Sequence, residues 1–398
     1  MTPRIAVLSA LLLLPFAARA GEPSPSAAEE LTNTLLKKGA LSQEEARPLL
    51  DLFAKERQAP KAQFTLMPGA TLKINGFGLF RYTFAQAQEP STDTNAFAVK
   101  AARLKFSGDL PKDFKYSLLL DFARTNGAST QQNSALYDYL LTWAPDPAFN
   151  LTAGQFLIPT GAETLTPTDQ LDFASRYNGQ DRILNPSGRD AGVQASGKVL
   201  GQRLYYALGV FNGSGPNTTS NDNGDLLYAG RTQWTSKGDF YGLPSSLVAG
   251  VNGFWKRTKS DPSTLKSSDL SGRTFNDPYN RYVYGADLAL KAGPASLKGE
   301  YLSAYLKGRH WDPVVHAHGW HVTGAWRFCE QFEGLVRWQG YDPDDSLTNN
   351  LDSEWQTYGA NWFINGQNAR LTANYTVKNE KASRVKNDEF VLQLQVGF

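Results

Sequence analysis

Cysteine is nearly absent. Cys329 is the only one in 398 residues, so no internal disulfide framework is available. It reads as an inert residue near a turn. After residue 20 no apolar run reaches the roughly 20 residues a spanning helix needs, which excludes a helical membrane protein. Net charge is lacking too, with 40 Lys and Arg against 38 Asp and Glu, and near-neutrality argues against nucleic acid as a partner. Histidine is scarce. His310, His316, His318 and His321 fall in one stretch whose spacing fits no zinc pattern, so that stretch reads as a polar surface loop and no metal or other cofactor is expected. There is no GxSxG elbow, no HExxH and no P-loop, which points away from an enzyme.

What is present begins with Arg4, an apolar run from Ile5 to Phe16, and the small-x-small triplet Ala18-Arg19-Ala20. That pattern predicts a cleaved secretory signal over 1–20. Its removal takes Arg4 and Arg19 and leaves 38 basic against 38 acidic residues. Residues 21–62 change character: Leu31, Leu35 and Leu36, then Ala46, Leu49, Leu50 and Phe53 recur at helical spacing. Ser42 with Glu45 is a capping-box signature, and Gly39 would end the preceding helix. The expectation is a short helical periplasmic segment, serving as spacer or self-association module.

From Thr71 the period becomes 2. Phe390, Leu392, Leu394, Val396 and Phe398 alternate with Glu389, Val391, Gln393, Gln395 and Gly397. Tyr116–Phe122, Leu204–Val210 and Leu371–Val377 repeat the pattern. About sixteen such segments fit, each near the length a tilted membrane strand requires. Connections alternate between short ones (109–113, 144–149, 198–202, 291–295, 328–331, 364–369, with 236–245 somewhat longer) and long polar ones (86–95, 126–134, 159–188, 212–225, 257–280, 306–317, 340–353, 378–387). Short turns at one end and long loops at the other are the plan of outer-membrane barrels, and a soluble sandwich has no reason to sort its loops this way. Tryptophans in strands, several near strand ends, suit membrane interfaces. The expected fold is therefore all-β, a 16-stranded antiparallel transmembrane barrel over 70–398 in a Gram-negative-type outer membrane, with outer-membrane lipid and lipopolysaccharide around it.

Loop 159–188 is long yet not low in complexity; it mixes Glu163, Asp169, Asp172, Arg176, Arg182 and Arg189 with apolar residues. It is expected to fold inward and narrow the pore, the alternative being an external flap. With apolar positions facing lipid, parity sends Lys73, Arg81, Arg103, Lys105, Lys115, Arg203, Arg231, Arg327, Arg337 and Arg370 to the lumen, with Asp121, Asp138, Asp287, Glu300 and Glu333. A single lumen charge is ordinarily just solvated. A ring of Arg or Lys at a constriction would make an anion pore.

The stretches VKAARLKFSGDL (99–110), LTAGQFLIPTGAETLT (151–166), RDAGVQASG (189–197), LGVFNGSG (208–215), LLYAGRTQW (226–234) and NWFINGQNARLTANY (361–375), with Phe398, resemble the phosphate-selective porins, the porin O/P family. KKGALSQEEA at 37–46 resembles N-terminal segments often seen there. The resemblance implies a sixteen-stranded barrel, a homotrimer, a loop in each pore, and transport of small anions such as phosphate. It implies roles for Arg103, Lys105, Arg176, Arg189 and Arg231. Leu157 stands where the family often has a lysine after GQF, and Lys100 and Ala101 where a paired arginine is common; both lower the expected phosphate selectivity. The pore-lining set is thus Arg81, Arg103, Lys105, Lys115, Arg176, Arg189, Arg231 and Arg337, with no catalytic residue. The alternatives carried forward are a general or organic-solute porin, a barrel that hydrolyses lipid, and a plugged structural barrel.

Overall fold

The computed structural model describes residues 63–398 except 89–90, 125–134, 185–187, 219, 222, 259–278, 309–313 and 349–351, together with Thr32, Leu36, Lys37, Ser42, Glu44 and Ala46. The chain divides into Met1–Ala59 and Pro60–Phe398. The signal reading over 1–20 lies outside the described residues, as does most of the helical reading over 21–62.

The second unit is a β-barrel. Its strands are β1 (Gln63–Met67), β2 (Ala70–Ala85), β3 (Thr94–Leu110), β4 (Phe114–Asp121), β5 (Leu136–Asp146), β6 (Phe149–Leu157), β7 (Arg189–Val199), β8 (Leu204–Phe211) and β9 (Leu227–Phe240). They continue as β10 (Leu243–Thr258), β11 (Tyr279–Ala292), β12 (Ala295–Lys307), β13 (Val314–Arg327), β14 (Phe332–Asp342), β15 (Ser353–Asn365), β16 (Ala369–Glu380) and β17 (Glu389–Gly397). From β2 onward each strand pairs antiparallel with the next, and β17 returns to pair with β2, with Gln393 opposite Arg81. Sixteen strands therefore close on themselves. Closure satisfies every strand's backbone groups from within the sheet, as hydrocarbon demands. The short β1 was not foreseen; it pairs with the first residues of β2.

Parity assigns the faces of the strands correctly, but Arg203, which it also sends to the lumen, lies exposed in the turn between β7 and β8. In β17, Gln393 and Gln395 are buried while Leu394 and Val396 are exposed. In β8, Ala207 and Phe211 are buried between exposed Leu208 and Val210. The exposed apolar residues form the outer surface of the barrel. Turn sorting also holds, since the connections after odd-numbered strands from β3 to β15 have two to four residues. One correction is needed: 236–245 is not longer than the other short connections, because β9 and β10 meet across Tyr241-Gly242 alone. Both residues have positive φ (52° and 78°), the two-residue hairpin geometry that matches strand twist. Asn-Gly would have announced such a turn; Tyr-Gly did not.

The histidines are a second correction. β13 starts at Val314, inside the loop expected over 306–317, so His316 joins His318 and His321 in the strand, and His310 is outside the described residues. His316 and His318 pack on Tyr305 and Tyr301, with ring centroids 4.6 and 6.2 Å apart. His321 packs on Tyr177 of the long loop at 4.8 Å. Among the described residues no group of three His, Cys, Asp or Glu side chains is placed to hold a metal.

The connection between β6 and β7 carries two single-turn helices, α1 (Ala162–Leu165) and α2 (Gln180–Ile183). Its return leg buries Tyr177, Ile183 and Leu184 in an apolar cluster with Leu302, Leu306, Val315, Ala317 and Tyr341. The crossing is close. A Cβ on Gly179 would lie 2.9 Å from the Cα of Gly319 in β13, so both positions need a residue without a side chain.

Candidate functional site

The long loop is tied to much of the barrel wall. At its start the Gly161 N–H donates to Asn252 in β10 (3.0 Å), and Ala162 N–H to Glu300 in β12 (2.5 Å). Next, Arg337 in β14 donates to Glu163 at 2.5 Å, while the other Glu163 oxygen accepts from Tyr177 N–H at 2.9 Å. Burial by itself would raise the Glu163 pKa, but the Arg337 guanidinium and the Tyr177 N–H more than offset it and hold the carboxyl below its ordinary value. Further along, Arg103 in β3 reaches Thr168 (2.8 Å), Lys298 in β12 pairs with Asp172 (2.8 Å), and Arg81 in β2 reaches Ser175 (3.1 Å) and the Ala174 carbonyl. Asn361 in β15 donates to Asp172 O (3.0 Å), and Gln395 in β17 to Asp169 O (3.1 Å). Partners on β2, β3, β10, β12, β14, β15 and β17 require the loop to lie inside the barrel, not as a flap above it.

The loop leaves a chamber on either side of residues 165–167 and 170, which line both. The first, about 480 Å³, faces β17 and β2–β7 and has four basic side chains (Arg103, Lys105, Arg176, Arg189) against Asp138 and Asp169. The second, about 360 Å³, faces β9–β13 and reverses the balance: Arg231 and Lys298 against Glu163, Asp172, Asp287 and Glu300.

The eight residues singled out from sequence divide accordingly. Arg103, Lys105, Arg176 and Arg189 converge on the first chamber. Arg231 lines the second. Arg81 and Arg337 hold the loop, and Lys115 stands exposed near the turn that joins β3 to β4, lining neither chamber. Convergence does not mean free charge. Arg103 pairs with Asp121 (2.9 Å), Arg189 with Asp138 (2.6 Å), Arg231 with Asp287 (2.7 Å), and Arg337 with Glu163. The Arg231–Asp287 pair spans β10, passing over Gly250, where a Cβ would lie 2.6 Å from the guanidinium and 2.8 Å from the carboxylate. Arg176 donates instead to the carbonyls of Glu163, Thr164 and Thr166 and so shapes the loop. Lys105 is exposed, with no carboxylate or other acceptor in reach among the described residues.

Three participants escaped the sequence reading. Tyr137 lies under two guanidiniums, with Arg103 Cζ 4.3 Å and Arg189 Cζ 3.7 Å from its ring centroid. Leu119 sits in the row Asn75–Lys105–Leu119–Asp138 that crosses β2 to β5. Lys298 secures Asp172. Only the Arg103–Asp121 pair left a usable signal: the turn at 111–113 sets a register that places them opposite each other.

No match was found among curated proteins. Among solved structures, the anion-selective porin from Comamonas acidovorans is similar at TM-score 0.60 and 12% identity, over 83% of this chain and 100% of that one. The in-vitro folded OmpT of Vibrio cholerae in its trimer form gives 0.59 and 12%, again over 83% and 100%. The DcaP channel of Acinetobacter baumannii gives 0.55 and 13%, over 85% and 100%. At such identities the likeness is one of fold. The barrel belongs in a Gram-negative outer membrane. Over residues 76–398 the sequence matches the family described as phosphate-selective porin O and P, and the chain belongs to that family.

Proposed function

We propose that this porin passes small anions, phosphate-like ones included, by passive diffusion with moderate selectivity, and that it works as a homotrimer. The observation that carries the reading is the first chamber, where four basic side chains face a passage bounded by the inserted loop and Lys105 lacks a counter-charge among the described residues. Basic side chains replace part of an anion's hydration shell, and a single unpaired one holds it weakly enough to release it. The Arg189–Asp138 and Arg103–Asp121 pairs favour moderate over strong selectivity, because each guanidinium already has a carboxylate partner.

Planar-bilayer conductance of the refolded protein in a KCl gradient is the test. A reversal potential toward chloride is expected, with chloride current inhibited by added phosphate. A potential toward potassium would refute anion passage. Chloride selectivity without phosphate inhibition would leave the second reading, general diffusion, which Leu157 in the chamber wall favours.

A further inference from the structure

The first chamber combines its bases with apolar side chains in a regular way. Lys105 has Leu119 as its directly opposite partner across β3 and β4. Arg189 has Leu157 opposite it across β6 and β7. Opposite partners carry their Cβ atoms roughly 5 Å apart, so each base stands beside a leucine. Leu165 and Pro167 of the loop line the same space.

Inorganic phosphate makes poor use of this surface. It is hydrated on every side, and stripping that shell needs a donor in each direction. Leucine offers none. Arg103 and Arg189 also spend part of their donor capacity on Asp121 and Asp138. A solute with one anionic end and an apolar body uses both halves of each pair, its charge toward Lys105 and its body against the leucines.

We infer that the preferred solutes of this chamber are amphipathic organic anions, monocarboxylates with an aromatic or branched aliphatic body, selected by the paired Lys105–Leu119 and Arg189–Leu157 positions. The inference rests on the anion-porin reading and narrows it to a chemical class. The Tyr137 ring, held against Arg103 and Arg189, fixes the guanidiniums so that the charged and apolar strips stay side by side.

The test uses the mature protein in planar bilayers at neutral pH, with block of chloride current by sodium benzoate, sodium acetate and potassium phosphate. Acetate shares the carboxylate without the ring. Benzoate is expected to block at about tenfold lower concentration than acetate or phosphate, the gain set by ring burial. Leu119→Asn with Leu157→Asn is expected to bring benzoate to within about twofold of acetate. Leu157→Asn alone serves if the double variant does not fold. An anion-selective channel blocked no better by benzoate than by acetate would overturn the inference alone. A benzoate advantage that survives the Asn substitutions would overturn the assignment to these leucines. A KCl reversal potential toward potassium would overturn the porin reading, and the inference with it.

Discussion

The chambers on either side of the inserted loop are built from one barrel and share residues 165–167 and 170, yet they do different work. On the β9–β13 side the acidic groups act on the loop. Glu300 accepts from the first N–H groups of α1, Asp172 takes Lys298, and Glu163 takes Arg337. That side is a seat, and its charges are spent. On the β2–β7 side the bases face the open chamber, and Lys105 has no acceptor among the described residues. Ionic residues at similar density thus anchor the loop in one place and line open space in the other. On the seat side Glu163 and Asp172 of the loop take bases from the wall, whereas on the other side Asp121 and Asp138 of the wall take Arg103 and Arg189.

The comparison breaks most visibly at the seat. Glu163→Ala leaves Arg337 buried without its carboxylate, at a cost of about 3 kcal/mol. Larger or flickering single-channel conductance is expected; steady wild-type conductance would show that the ion pair does not hold the loop. The same latch has a pH signature. Because the Glu163 pKa lies below its ordinary 4.5, its contribution is complete above pH 4.5 and is lost only as pH falls through the depressed value. Conductance scans from pH 7 downward should therefore show loop release only in more acid solution. Release near neutrality would contradict the assignment.

On the passage side, Lys105→Glu reverses a charge roughly 6 Å from a passing ion. In water that is worth about 1.4 kcal/mol for each ion, about tenfold against chloride and about tenfold in favour of potassium, so roughly a hundredfold in the chloride-to-potassium permeability ratio. An unchanged reversal potential would remove Lys105 from the pathway. Asp138→Asn releases Arg189 and sharpens the contrast more gently, with about threefold for each ion and so about tenfold greater anion preference by the same arithmetic. Smallest of all, Lys298→Gln on the seat side should shift the ratio by less than about twofold, since that lysine serves Asp172 rather than solutes. A larger shift would mean that both chambers conduct.

Much of the barrel was legible because membrane strands repeat every two residues, and because turns and loops differ in length by end. Gln393 and Gln395 facing inward between Leu394 and Val396 follow from period alone. The site was legible only as a set of inward charges. Pairing such as Arg231 with Asp287 depends on register across two hairpins and on the bare backbone at Gly250, neither of which residue type announces. Leu119 escaped notice for the opposite reason: parity puts it on the inward face with Lys115 and Asp121, but an uncharged residue drew no attention there, and only register puts it next to Lys105. The short turn at Tyr241-Gly242 was missed because no asparagine or aspartate marks it.

The seam where β17 meets β2 also has a kinetic meaning. Arg81 and Gln393, bonded across it, are 312 positions apart, while every other barrel pairing joins neighbours in sequence. Fifteen pairings can grow by local zippering, but the last must wait for nearly the whole sheet to curl round, so it carries the largest loop-closure entropy in the molecule. Until then both β2 and β17 present raw edges. Chains that stall in folding should be caught at this seam, open like an unclasped bracelet, and that is where an assembly factor would gain most by holding them.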